Sequence, residues 1–139
     1  MKVASLVVLS LLLGVSSSEN NFDVDALKLY ISDLGIKFPN IVYAQAVVES
    51  GNFESKIFLE NNNLFGMKVA KSRPTTAKGE RNGYAYYDSW QMSVIDYALY
   101  QSAYARKIST ESGYYEHLGS NYAESGNDYI KRLKDVNSK

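Results

Sequence analysis

A carboxylic acid serves as a general acid only if it keeps its proton near neutral pH, and one glutamate in this 139-residue chain sits where that is expected. Ile41, Ala44 and Val48, with Ala46 and Val47 beside them, recur at helical spacing, so the pattern predicts a helix from about Pro39 to Ser50. Pro39 suits its first turn and Gly51 its end. Glu49 then falls in the last turn, where the negative end of the helix dipole opposes ionisation. The helix is short and nearly all apolar, which predicts a place in the core. Gln45 lies one turn below Glu49 on the same face and is a candidate for touching whatever Glu49 acts on. A half-desolvated carboxylic acid emerging there has the protonation state that cleavage of a glycosidic bond requires. The competing reading is a glutamate that frays into solvent at a helix end.

The elements that must position this residue fit one domain, because the length is that of a single core. Residues 1–18 are set apart from it. Met1 and Lys2 precede an apolar, uncharged run through Val15, and Ser16, Ser17 and Ser18 follow it. That is the pattern of a secretory signal peptide, too short for the roughly 20 apolar residues of a comfortable membrane span. The expectation is an exported protein, periplasmic or secreted, that begins at Ser18 or Glu19 and has no stable membrane insertion. An uncleaved N-terminal anchor is the alternative. Residues 19–139 form the domain.

Cysteine is absent, so neither a disulfide framework nor thiolate chemistry is available, and the domain must stand on its core. Fifteen basic and fifteen acidic residues balance, which argues against a nucleic-acid partner. Tyrosine is the unusual count, at 12, and pairs an apolar ring with a polar tip suited to a groove that holds sugar rings as well as to half-buried packing. His117 is the single histidine, and without HExxH or paired-histidine spacing no metal, cofactor or Ser-His-Asp triad is expected.

In chain order, Asp23 caps a helix with Val24, Leu27, Ile31 and Leu34 on its apolar face, stopped by Gly35. After the Pro39 helix, Ser55 to Glu60 adds a turn or two, and Asn61, Asn62 and Asn63 form a polar loop. Leu64 to Ala70 has β character. Pro74 to Asp88 reads as a hairpin turning at Asn82-Gly83, and its crowd of charges predicts a lobe that projects and moves. Asp88 or Ser89 caps the longest helix, about Trp90 to Ile108. A short helix at Ser112 to Leu118, a connection over Gly119 to Asn127 and a last helix at Asp128 to Val136 complete the chain.

The motifs A-Q-A-V-V-E-S-G from Ala44, N-L-F-G-M-K from Asn63, Y-Y-D-S-W from Tyr86 and N-Y-A-E from Asn121 stand in an order that resembles the glucosaminidase domain of glycoside hydrolase family 73, across about residues 26 to 136. The resemblance implies a mainly α (α+β) fold, a lysozyme-like helical domain with a small β-hairpin lobe. It also implies a monomeric hydrolase that cleaves peptidoglycan glycan strands at the β-1,4 bond after N-acetylglucosamine. Glu49 becomes the general acid by that likeness.

The family's second carboxylate lies on the β-lobe, and Glu80, beside the Asn82-Gly83 turn, stands at the corresponding place. The local motif departs from the commoner form, with Lys78-Gly79 before this residue and a shorter lobe. A solvated charge is its other reading, and Asp88 competes for the role but is explained by capping. Asn63, Phe65, Tyr87, Trp90 and Tyr122 fall in the family's motifs as substrate-groove residues, although Phe65 and Trp90 fit equally as core aromatics bracing the lobe. A lytic transglycosylase on the same glycan and a glycan-binding relative without activity are the rival functions. The N-L-F-G-M-K segment stands where a transglycosylase carries a G-L-M-Q type of sequence.

Overall fold

The computed structural model describes residues 22–122 and 124–139, so the expected signal peptide lies outside the described residues. The described residues form six helices, α1 (Val24–Asp33), α2 (Pro39–Glu49), α3 (Lys56–Asn61), α4 (Trp90–Tyr104), α5 (Glu111–Asn121) and α6 (Gly126–Asn137), and one two-stranded antiparallel hairpin, β1 (Gly79–Arg81) with β2 (Tyr84–Tyr86). This is the mainly helical fold with a small β-lobe that the sequence motifs imply.

The apolar helix α2 runs through the middle, packed on α1 and α6, with Ile41, Val42, Ala44, Gln45 and Ala46 buried. Its sides are closed by Leu27 and Ile31 of α1, Val94 and Tyr97 of α4, Tyr114 and Leu118 of α5, and Leu133 of α6, none of them exposed. Helix starts are set by local chemistry. Asp23, Ser55, Ser89 and Thr110 each accept backbone N–H groups of the turn they precede.

Several boundaries differ from the sequence reading. Leu64 to Ala70 forms no strand: the side-chain oxygen of Asn63 accepts the backbone N–H groups of Phe65 and Met67, and the chain turns at Gly66, so these groups are satisfied without a ladder. Ser89, not Asp88, caps α4, while Asp88 faces Lys78 at 3.3 Å. Helix α4 ends at Tyr104, short of Ile108, where the Lys37 ammonium donates to the carbonyls of Arg106 and Ile108. The expected connection after Leu118 is mostly helical, because Gly119 and Gly126 let α5 and α6 close on each other. A Cβ at Gly126 would lie 2.5 Å from the carbonyl oxygen of Gly119.

The hairpin turns at Asn82 and Gly83, both at positive φ, as its sequence predicts. Instead of projecting freely, it is tied down by side-chain amides. Asn61 donates to the carbonyl of Arg81 at 2.7 Å, Asn62 to that of Tyr87 at 2.9 Å, and Asn63 to that of Ala85 at 2.9 Å.

The segment between Gly66 and the hairpin is held by a buried ion pair. Arg73 lies 2.6 Å from the Asp96 carboxylate, and Tyr87 donates its hydroxyl to the other Asp96 oxygen at 2.6 Å. Truncation to Asp96→Ala leaves a buried guanidinium without a counter-charge and is expected to cost about 3–5 kcal/mol. A urea midpoint within error of wild type would refute this assignment.

Candidate active site

Glu49 is the last residue of α2 and opens half-buried onto a groove of about 680 Å³. One wall is the segment from Gly66 to Ala70 with Arg73 and Tyr84. The other carries Tyr100, Tyr104, Asn121, Tyr122 and Glu124. Burial pushes the Glu49 carboxyl above the usual carboxylate range, against the opposing pull of a hydrogen bond from Tyr129 and the charge of Arg132.

Gly66 sets the approach to this acid. Its φ of +64° is a left-handed conformation, and a Cβ built there would lie 2.9 Å from Oε2 of Glu49. The backbone of the N-L-F-G-M-K motif therefore passes directly over the carboxyl. Tyr122 fixes the same segment from across the groove by donating its hydroxyl to the carbonyl of Phe65 at 2.6 Å, and its ring lies parallel to that of Tyr129 at 6.0 Å.

Behind Glu49 a chain of hydrogen bonds crosses the core. Gln101 is held by the backbone of Lys37, whose N–H it accepts at 2.7 Å and whose carbonyl it donates to at 2.9 Å. This pairing fixes which end of the amide is nitrogen. That nitrogen donates to the Tyr114 hydroxyl at 3.0 Å, leaving the Tyr114 proton for Tyr97 and the Tyr97 proton for Oε1 of Gln45. Nε2 of Gln45 donates to the Tyr129 oxygen at 3.2 Å, which brings the chain to the phenol whose interaction with Glu49 favours the ionised carboxylate. Burial pushes all three phenols up, so each keeps the proton that this direction requires.

The residues singled out from sequence separate into two groups. Glu49 and Tyr122 line the groove. Gln45, Asn63, Phe65, Tyr87 and Trp90 are buried, with their contacts inside the protein: Gln45 in the phenol chain, Asn63 in the loop, Phe65 against Tyr97 at 4.4 Å, Tyr87 on Asp96, and Trp90 edge-on to Phe22 at 5.7 Å. Glu80 is exposed on β1 opposite Ala85 and is not part of the groove walls. Sequence reasoning passed over Gly66 and Glu124, although both stand inside motifs it had singled out. A glycine within N-L-F-G-M-K was the available signal for the first, while nothing local marks Glu124 or Tyr129 as neighbours of Glu49.

A helical body with a hairpin lobe, and one half-buried carboxyl facing an open groove, has the layout that a lysozyme-like glycosidase domain needs. The glucosaminidase family, described as mannosyl-glycoprotein endo-beta-N-acetylglucosaminidase, matches residues 25–138. The chain belongs to this family, whose membership in the glycoside hydrolases carries the enzymatic class. It is also similar to Protein bax of Escherichia coli (strain K12), with 40% identity over 75 residues, 54% of this chain and 25% of that protein. The chain thus spans about a quarter of the curated relative it matches. No solved structure matches it.

Two outcomes follow from the geometry. Unfolded, Glu49 ionises at the ordinary carboxylate value; folded, it does so only at higher pH. The native state therefore holds the extra proton in that window, and stability is lost as pH rises through it. Glu49→Gln carries no such burden, so thermal denaturation should show it more stable than wild type at neutral pH, with the gain gone below about pH 4. An equal gain at both pH values would mean that ionisation is not its source. Gly66→Ala should cost about 1 kcal/mol through its positive φ and displace the carboxyl, lowering kcat roughly 10–10²-fold. Full activity in that variant would show that the close approach is unimportant.

Proposed function

We propose that this chain is a peptidoglycan hydrolase that cleaves the β-1,4 bond after N-acetylglucosamine, with Glu49 as general acid. The observation that carries the reading is a carboxyl whose pKa burial raises, at the end of a core helix and on the floor of an open groove. Protonated Glu49 gives its proton to the leaving glycosidic oxygen as the bond to the anomeric carbon breaks, and water completes the hydrolysis. Tyr122, on the groove wall, contacts the substrate. Gln45, Asn63, Phe65, Tyr87 and Trp90 serve the site by holding Glu49, the Gly66 segment and the hairpin in place. Export fits this substrate, with residues 1–18 as the removable signal and residues 19–139 as the acting domain. No helix among the described residues is long and apolar enough to cross a membrane.

Glu80 takes the second role if the hairpin closes over the glycan. Glu124, which already lines the groove, is the alternative that the geometry adds.

Mass spectrometry of digested peptidoglycan tests the reaction. Reducing-end N-acetylglucosamine is the expected product, 1,6-anhydromuramic ends would make the chain a lytic transglycosylase, and no product would make it a glycan-binding relative. Glu49→Gln should abolish cleavage, and turnover within about tenfold of wild type would overturn the assignment. Glu80→Gln should lower kcat about 10²-fold with thermal stability unchanged, because the side chain is exposed. The same loss in Glu124→Gln instead would move the second role to Glu124. Loss in neither variant would leave Glu49 acting with the substrate's own acetamido group.

A further inference from the structure

Two cations line the groove, and they are placed differently. Arg73 is paired with Asp96 at 2.6 Å, whereas no carboxylate among the described residues pairs with Lys68, the other ion pairs there joining Lys56 to Glu60 and Lys78 to Asp88. Glu124 belongs to the opposite wall. Lys68 therefore presents a positive charge with no anion of its own.

That charge is nonetheless held in place. The side chain is exposed, yet its Nζ donates to the carbonyl of Gly83 at 2.7 Å and lies over the Tyr84 ring, 4.0 Å from its centre. Gly83 is in the hairpin turn and Tyr84 begins β2, so the lobe stations an ammonium at the edge of the groove. An ammonium has three N–H groups, of which the Gly83 carbonyl takes one. The ring face attracts the charge without cancelling it. A flexible lysine is thus ordered before any ligand arrives, which lowers the entropy lost on binding. The cation that pulls on Glu49 is Arg132, so Lys68 can hold a ligand without disturbing the acid.

We infer that Lys68 is a specificity-determining residue whose ammonium takes a carboxylate carried by the glycan strand in the groove. Every second sugar of peptidoglycan is N-acetylmuramic acid. Its lactyl ether ends in a carboxylate where the strand is bare, and in a peptide with carboxylates of its own where the strand is substituted. A polymer of N-acetylglucosamine alone offers no anion. The inference rests on the proposed peptidoglycan substrate and adds that acidic strands are preferred to neutral ones of equal length, with Lys68 as the cause.

The experiment uses the Glu49→Gln protein, which leaves ligands uncut, and measures by calorimetry its affinity for three oligosaccharides with the same number of rings. One is an N-acetylglucosamine oligomer, one a peptide-free oligomer alternating N-acetylglucosamine with N-acetylmuramic acid, and one the same oligomer carrying its peptides. The readout is the affinity for each acidic ligand divided by that for the neutral one in the same protein. A preference of about fivefold is expected for at least one acidic ligand, shrinking as salt is added. It should fall to about one in Glu49→Gln/Lys68→Met and persist in Glu49→Gln/Lys68→Arg, which keeps the charge. Its loss with the peptide-free oligomer identifies the lactyl carboxylate, and its loss only with the substituted oligomer identifies the peptide. A preference missing from Glu49→Gln, or one that survives Lys68→Met, overturns the inference. A lysine that only fastened the hairpin would change all three affinities alike and leave the ratio standing, which overturns it as well. Cleavage of peptidoglycan by wild type is scored separately. Preference without cleavage would remove the hydrolase reading and keep the role of Lys68, whereas cleavage with a ratio unmoved by Lys68→Met would remove that role alone.

Discussion

The setting of Glu49 depends on one directional hydrogen-bond chain, running from the backbone of Lys37 through Gln101, Tyr114, Tyr97 and Gln45 to Tyr129, the phenol that acts on the Glu49 carboxyl. Its direction is not free. Gln101 is anchored at both ends of its amide by the backbone of one residue, Lys37, and each later phenol has a single proton to pass on. Reversal at any point would set two donors or two acceptors face to face in the buried core, a cost of about 1–3 kcal/mol per unsatisfied group. The chain also ties α2 to α4, α5 and α6, the helices that form the body of the domain. Packing and orientation of the acid are thus one constraint.

That constraint explains which parts were legible in the sequence. The start and end of α2 could be read because Pro39, Gly51 and the apolar spacing act within a few residues, and the position of Glu49 followed. The role of Gln45 could not be read, because its partners Tyr97 and Tyr129 are far away in sequence. A glutamine one turn from Glu49 looks like a substrate contact until those partners are in view. Phe65 and Trp90 were ambiguous for the same reason. Whether an aromatic ring faces a groove or a core is decided by what packs on it from elsewhere.

The β-lobe shows a different limit. Three consecutive asparagines read as a helix stop followed by a loop, which is correct locally. Their larger effect is non-local, since each amide donates to a carbonyl on or beside the hairpin. A hairpin of two three-residue strands is too small to be stable alone. Side-chain amides from α3 and the loop after it supply the contacts that a third strand would have made, and the charges on the hairpin surface gave no sign of this. Asn63 also pairs with the backbone N–H groups of Phe65 and Met67, which leaves Leu64 to Ala70 without the ladder its residue types suggest.

The charges around the groove complete the argument. A cation close to Glu49 would depress its pKa and remove the proton that acid catalysis needs. Arg73 lines the groove, but its charge is committed to Asp96 at 2.6 Å, with the Tyr87 hydroxyl on the far oxygen. Arg132 does pull on Glu49, yet it is exposed and its attraction is weakened by solvent, so burial prevails. Tyr129 belongs to the same balance: its hydroxyl fixes the carboxyl's direction while favouring the ionised form, and the fold offsets that by burying the pair together.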